Sequence, residues 1–182
     1  MPEPDEDVVS VARCLRGDST AFEGIVARYQ RVLFSVAYRM LGNYEDALDA
    51  TQNTFVRAYE HLDTFDTERR FFSWIYRIAV NECLNVRRAR HSAEPLPEAM
   101  DSMESTTPLH AATDAERSAV IDSALVRLSE DQRLVLVLRH FADLSYSEIS
   151  DVVGVPEKTV KSRLFEARQR LGELLNHNSR AA

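Results

Sequence analysis

From Phe22 onward, apolar side chains recur at Val26, Tyr29, Leu33, Val36 and Met40, at alternating spacings of four and three. Only a helix brings such positions onto one face, here for about five turns, because residues three and four apart stack above one another. Leu48, Phe55, Tyr59 and Leu62 repeat the rhythm and predict a second helix of the same kind. Four Ser/Thr-x-x-Glu/Gln boxes predict helix starts: Thr20/Glu23, Thr113/Glu116, Ser129/Gln132 and Ser145/Glu148. In such a box the first side chain accepts from an orphan amide while the acid or amide reaches back. "LVLVL" at 134–138 alternates as a strand would. The box just before it, and the lack of any partner strand, make it a buried helix. The expected fold is all-α.

One stretch breaks the pattern. Residues 91–116, "HSAEPLPEAMDSMESTTPLHAATDAE", carry three prolines, six acids, no Lys or Arg, and no helical stripe. That composition predicts a flexible acidic linker, at least as far as Pro108. Two small helical domains follow, at 1–90 and 113–182, joined by linker 91–112. The chain's net charge of −7 hides a division: residues 67–90 carry net +4 and residues 156–182 net +3. Each domain owns one basic island, and concentrated positive charge is the footprint of a polyanionic partner.

Several classes are excluded. No apolar run approaches the roughly 20 residues of a membrane span, so no membrane insertion is expected. The start, "MPEPDEDVVS", lacks the basic and apolar regions of a signal peptide, and a cytoplasmic location is the default. Cys14 and Cys83 form no C-x-x-C and have no His at metal spacing, so they read as idle thiols, and no metal or cofactor is expected. No His, Cys and carboxylate set has catalytic spacing; no catalytic residue is assigned, and the chain is not expected to be an enzyme.

The second island reads as a helix-turn-helix, "LSYSEISDVVGVPEKTVKSRLFEARQRL" at 144–171. Ser145 caps a short helix with Ile149 and Val153 facing inward. Ser150 is small where another helix crosses. Gly154 supplies the positive φ of a tight turn, Val155 plugs the corner, and Pro156 suits the first position of the next helix. Val160, Leu164, Ala167 and Leu171 form its buried stripe. Lys158, Lys161, Ser162, Phe165, Glu166, Arg168 and Gln169 are then left exposed. Such a face suits a major groove: Lys reaches guanine acceptors, Phe meets a thymine methyl, and Arg168 reaches phosphate.

The first island, "FDTERRFFSWIYRIAVNECLNVRRAR" at 65–90, interleaves aromatics with bases. Phe65, Phe71, Phe72, Trp74 and Tyr76 alternate with Arg69, Arg70 and Arg77. Asn81 and Asn85 lie one turn apart, and Arg87, Arg88 and Arg90 follow. Aromatics beside cations can stack on unpaired bases while the cations hold the backbone, and Asn can read base edges. Core packing is the competing role for the aromatics; Ile75, Ile78, Ala79 and Phe72 are assigned to it, and Trp74 fits either.

Together the islands resemble the extracytoplasmic-function class of bacterial sigma factors, over about residues 10–175. "GNYEDALDATQNTFVRAY" (42–59) is similar to that family's polymerase-clamp segment, "FFSWIYRIAVNECLN" (71–85) to its −10-reading segment, and "GVPEKTVKSRLFEARQRL" (154–171) to its −35-reading helix. The resemblance implies core RNA polymerase, promoter DNA and an anti-sigma factor as partners. It implies that Asp46, Asp49, Gln52, Asn53 and Phe55 lie at the clamp. It places Phe65, Arg69, Arg70, Phe71, Trp74, Arg77, Asn81, Asn85 and Arg88 at the −10 element, with loop 65–72 holding a flipped base. Lys158, Thr159, Lys161, Ser162, Arg163, Phe165 and Arg168 fall at the −35 element, and the linker threads toward the RNA exit path. Glu166 departs from the basic residue or His of many relatives, Asn53 from the usual Glu, and loop 66–70 is unusually charged. A stand-alone helix-turn-helix regulator is the alternative, explaining only residues 113–177. A helical adaptor would leave both islands unexplained.

Overall fold

The computed structural model describes residues 6–93 and 112–180, with side chains from 6 to 90 and from 118 to 176. Among these residues the fold is all-helical. The first half holds α1 (Glu6–Leu15), α2 (Ala21–Leu41), α3 (Tyr44–Glu60), a 3-10 turn (Leu62–Thr64) and α4 (Phe71–Ala93). The second holds α5 (Ala112–Val126), α6 (Glu130–His140), α7 (Tyr146–Val153) and α8 (Glu157–Arg180). Helix α4 thus runs three residues into the stretch read as linker, 91–112, and α5 begins on its last residue; 94–111 lie outside the described residues.

The stripe on α2 is where the sequence puts it. Phe22, Leu33, Val36 and Met40 are buried, with Val26 and Tyr29 half-buried and Ile25, Ala37 and Leu41 widening the face. Burial contributes roughly 1.5–3 kcal/mol for each large apolar side chain on this face. On α3 the expected stripe is corrected. Its buried face is Ala47, Ala50, Thr51, Thr54 and Ala58, while Leu48 and Phe55 are half-buried and Tyr59 is exposed. Small residues let α3 lie close against its neighbours. Both threonine hydroxyls donate back to the helix, Thr51 to Ala47 O at 2.6 Å and Thr54 to Ala50 O at 2.7 Å, so neither is left unpaired in the core. Helix α6 is buried along Leu134–Leu138, as expected for an apolar run that is not a strand.

The predicted caps hold unevenly. Ser145 and Glu148 form a full capping box, and Ser129 accepts the Gln132 amide. Thr20 makes no cap: its hydroxyl donates to Asp18 Oδ1 at 2.6 Å, a carboxylate that also receives Arg13. The Thr20 backbone is already helical, at φ −68° and ψ −22°, whereas an N-cap residue needs an extended backbone for its side-chain oxygen to accept from the first turn's amides. Thr113 stands one residue inside α5, and its side chain lies outside the described residues. Asn43, which the sequence pattern did not flag, caps α3 by accepting the Asp46 amide at 3.0 Å.

The halves pack together through arginines. Arg133 of α6 is buried and donates to Met40 O of α2 at 2.8 Å, to Leu125 O at 2.8 Å, and to Val126 O and Leu128 O. The C-terminal carbonyls of α2 and α5 carry partial negative charge, and one guanidinium caps both. Burial lowers its pKa to about 10, which leaves it charged at neutral pH. Beside it, Arg39 pairs with Asp122 at 3.4 Å and lies over the Phe141 ring at 3.9 Å, and Arg87 pairs with Glu130 at 3.6 Å. Burial raises the Asp122 pKa, and Arg39 partly offsets that.

Candidate nucleic-acid interface

The turn of the helix-turn-helix is built as its residues dictate. Gly154 has φ 75°, and the Ser150 hydroxyl donates to Val155 O at 2.6 Å, closing the corner. Ile149 is buried; Val152, and not Val153, is the second buried residue of α7, with Val153 and Val155 half-buried. Val160, Leu164 and Ala167 bury the inner face of α8, with Leu171 half-buried. The opposite face exposes Lys158, Lys161, Ser162, Phe165, Glu166, Arg168 and Gln169 together. Phe165 is 62% exposed, a large apolar ring left mostly uncovered by the described residues. Lys161 has Glu157 at 3.5 Å and the Tyr146 ring at 5.6 Å. Arg168 lies 3.4 Å from His140. Burial, then Arg168 and Arg139, lowers the His140 pKa, so this histidine adds little positive charge at neutral pH. Arg163 and Thr159 are only partly exposed, and Arg163 is held by Asp131 at 2.7 Å, turned toward α6.

On α4, Arg77, Asn81, Asn85 and Arg88 are spaced four, four and three apart and all are exposed. They form one polar ridge. Arg88 donates to Asn85 at 3.1 Å. Phe65 and Phe71 are corrected from the sequence reading: both are buried, packed edge-on at 5.2 Å, so they support the surface from within. Trp74 is half-buried, tilted against both at 5.6 and 5.4 Å. Ile75 and Ala79 are core, and Tyr76, also buried, has its pKa pushed up to about 12. Arg69 and Arg70 are exposed on the loop, Arg69 beside Asp66 and Arg70 above the Phe72 ring. Arg70 also pairs with Glu148 at 3.0 Å, and Arg77 donates to the Asp151 carbonyl. Helix α7 therefore rests against the start of α4.

Asp49, Gln52 and Asn53 share an exposed face of α3, with Phe55 half-buried beside them and Tyr44, Val56 and Tyr59 also exposed. Asp46 differs, because Arg90 pairs with it. Sequence reasoning missed a cleft of about 250 Å³ between the end of α3, the 3-10 turn and α4. Arg57, His61, Thr64, Trp74, Ile78, Asn81 and Glu82 line it. Arg57 and Glu82 meet at 2.8 Å although 25 positions apart, a pairing no periodicity announces. The i, i+4 spacings of Arg57 with His61, and of Trp74, Ile78 and Glu82, were the local hints.

The described residues contain no helix long and apolar enough to cross a membrane and no cluster of three or more metal-ligating side chains. The Sigma-70 region 2 family profile matches residues 25–93, and that of Sigma-70, region 4 matches residues 118–171. The chain is 33% identical over 171 residues to the ECF RNA polymerase sigma factor SigW of Bacillus subtilis, covering 88% of this chain and 91% of that protein. It is 32% identical to the RNA polymerase sigma-H factor of Pseudomonas aeruginosa, covering 96% of each. Among solved structures it is similar to CnrH in complex with the cytosolic domain of CnrY, with a TM-score of 0.75 and 29% identity over 95% of this chain and 99% of that one.

Proposed function

This chain belongs to the extracytoplasmic-function class of RNA polymerase sigma factors, and on that premise we propose how its surfaces divide the work. It is a promoter-specificity subunit that directs core RNA polymerase to promoters, with no catalysis of its own, acting in the cytoplasm. The exposed face of α8 reads the −35 element, through Lys161, Ser162 and Phe165 at base edges and Lys158 and Arg168 at phosphates. Arg163 and Thr159 brace that helix. The α4 ridge of Arg77, Asn81, Asn85 and Arg88 tracks the −10 strand, with Arg69 and Arg70 holding its backbone. Asp49, Gln52, Asn53 and Phe55 meet the polymerase clamp, where acidic and apolar groups suit a basic partner. An anti-sigma factor is the expected regulator.

The observation that carries this reading is that one chain presents two separate basic faces, each on a helix whose opposite side is core. A stand-alone regulator needs only the second. The test is Asn81→Ala: open-complex formation should fall by roughly 1–3 kcal/mol of lost base contact, with core-polymerase binding unchanged. Equal loss of both would put Asn81 in the fold and not at DNA. The division at 91–112 is proposed on the same grounds. Limited proteolysis should cut there first and leave two helical fragments; a first cut inside either half would count against it.

A further inference from the structure

We infer that Glu166 determines specificity on α8: its carboxylate accepts from the exocyclic amino group of one cytosine in the major groove of the −35 element. The inference rests on the promoter-reading role above and deepens it, since that role gives the acid in the middle of a basic face no task. Two arginines stand one helical turn away, Arg163 three positions before Glu166 and Arg170 four positions after it. At such spacings an acid and a base on a helix surface ordinarily pair, best with the acid first and the base four residues on. Both arginines are taken elsewhere, Arg163 by Asp131 at 2.7 Å and Arg170 by Glu173 at 2.8 Å. Glu166 is exposed and makes no ion pair or hydrogen bond among the described residues.

Helix geometry decides where this carboxylate points. At roughly 100° per residue, Glu166 lies about 140° round the helix from Lys161. Lys161 and Arg168 share one flank of the exposed face, Glu166 stands on the other, and Phe165 and Gln169 lie between them. A helix in the major groove turns its two flanks toward the two strands. The cationic flank suits guanine or phosphate. The acidic flank is repelled by phosphate, so it lowers affinity wherever no donor meets it. In the major groove the donors are amino groups, cytosine N4 and adenine N6. Guanine and thymine present acceptor atoms there, which a carboxylate repels. The adenine amino group stands beside the N7 acceptor, whereas the cytosine amino group stands beside a C–H. Cytosine is thus the base on which the carboxylate gains a bond without facing an acceptor of the same base. Repelling the other bases contributes to the selection alongside holding cytosine.

The test uses holoenzyme and duplex promoters carrying each base pair at every −35 position, read as equilibrium binding. Wild type should favour cytosine at one position by roughly 5- to 150-fold, the range of one good base contact. Glu166→Ala should flatten that position and keep the preferences at the others. It should also bind the formerly disfavoured sequences more tightly, because a charge near the phosphates is gone. A second arm leaves the protein unchanged and places N4-methylcytosine at that position. The methylated base keeps its pair with guanine, but its methyl group blocks the major-groove side of the amino group. Wild type should lose its preference for the methylated site, and Glu166→Ala should bind the methylated and unmethylated sites alike. Uniform tightening of Glu166→Ala on every sequence would put the carboxylate in solvent and overturn the inference. Unchanged preferences in the variant, or full wild-type binding to the methylated site, would overturn it equally. Holoenzyme with no preference at any −35 position would instead refute the promoter-reading role, and this inference with it.

Discussion

Lys158 and Lys161 are the only lysines in the chain, three residues apart at the start of α8, and their surroundings differ. Lys161 is flanked by Glu157 and the Tyr146 ring, which restrict where its ammonium can go. Lys158 is exposed and makes no ion pair among the described residues. A restrained cation suits base readout; an unrestrained one suits phosphate. Lys161→Ala should change which −35 sequences are preferred. Lys158→Ala should weaken all about equally and flatten the salt dependence by roughly 0.9 in log–log slope. Holoenzyme binding across a −35 mutant series at several salt concentrations checks both. Identical preferences in wild type and Lys161→Ala would make both lysines phosphate anchors. The two cysteines separate in the same way. Burial pushes the Cys83 thiol up to about 12, while Cys14 is half-buried with a smaller upward shift from burial and Asp18. Because the thiolate is the reactive form, iodoacetamide should label Cys14 alone in the native protein and Cys83 only after unfolding, by peptide mass spectrometry.

Two glycines end helices in the left-handed region: Gly42 after α2 at φ 69° and Gly154 after α7 at φ 75°. A Cβ at Gly154 would meet nothing within 4 Å, so Gly154→Ala should cost only the backbone term, roughly 1–2 kcal/mol. A Cβ at Gly42 would lie 3.2 Å from Val126 Cγ2, on the far side of the packed seam. Gly42→Ala should therefore lower Tm further than Gly154→Ala; equal losses would mean that Val126 yields without cost. The contrast shows what a sequence can tell. Gly154 was legible because its turn is local, and so were the α2 stripe, the buried α6 and the exposed face of α8. Local periodicity and capping chemistry decide these. What was not legible depends on distant partners. The α3 face was misjudged because tight packing favours Ala and Thr over large residues. Phe65 and Phe71 were misjudged because an aromatic cluster reads alike whether it faces solvent or core. The pairing of Arg163 with Asp131, 32 residues away in sequence, leaves no local trace either.

The two halves meet at contacts of unequal strength. Arg133 is buried and satisfies carbonyls of both halves, so its loss leaves unpaired backbone acceptors, a defect worth several times an exposed ion pair. The α4–α7 edge is weaker: Arg70 is 71% exposed at its pair with Glu148, and such a pair contributes about 0–1 kcal/mol. Yet Arg70 and Arg77 belong to the face proposed for the −10 strand. DNA along that face has to displace α7, and phosphates can take over both arginines at small cost. Hydrogen exchange on the full chain checks this. Adding a single-stranded −10 oligonucleotide should raise exchange in α7 (146–153) while α6 around Arg133 stays protected. Raising salt from about 0.1 to 1 M, which shortens the screening length from about 10 to 3 Å, should loosen the same edge without DNA. Protection of α4 on DNA binding with α7 unchanged would show that the strand reaches α4 from a side α7 never covers. In that case the contacts at Arg70 and Arg77 would compete with nothing, and the bound strand would have to run from the Asn81 end of the ridge toward Arg88.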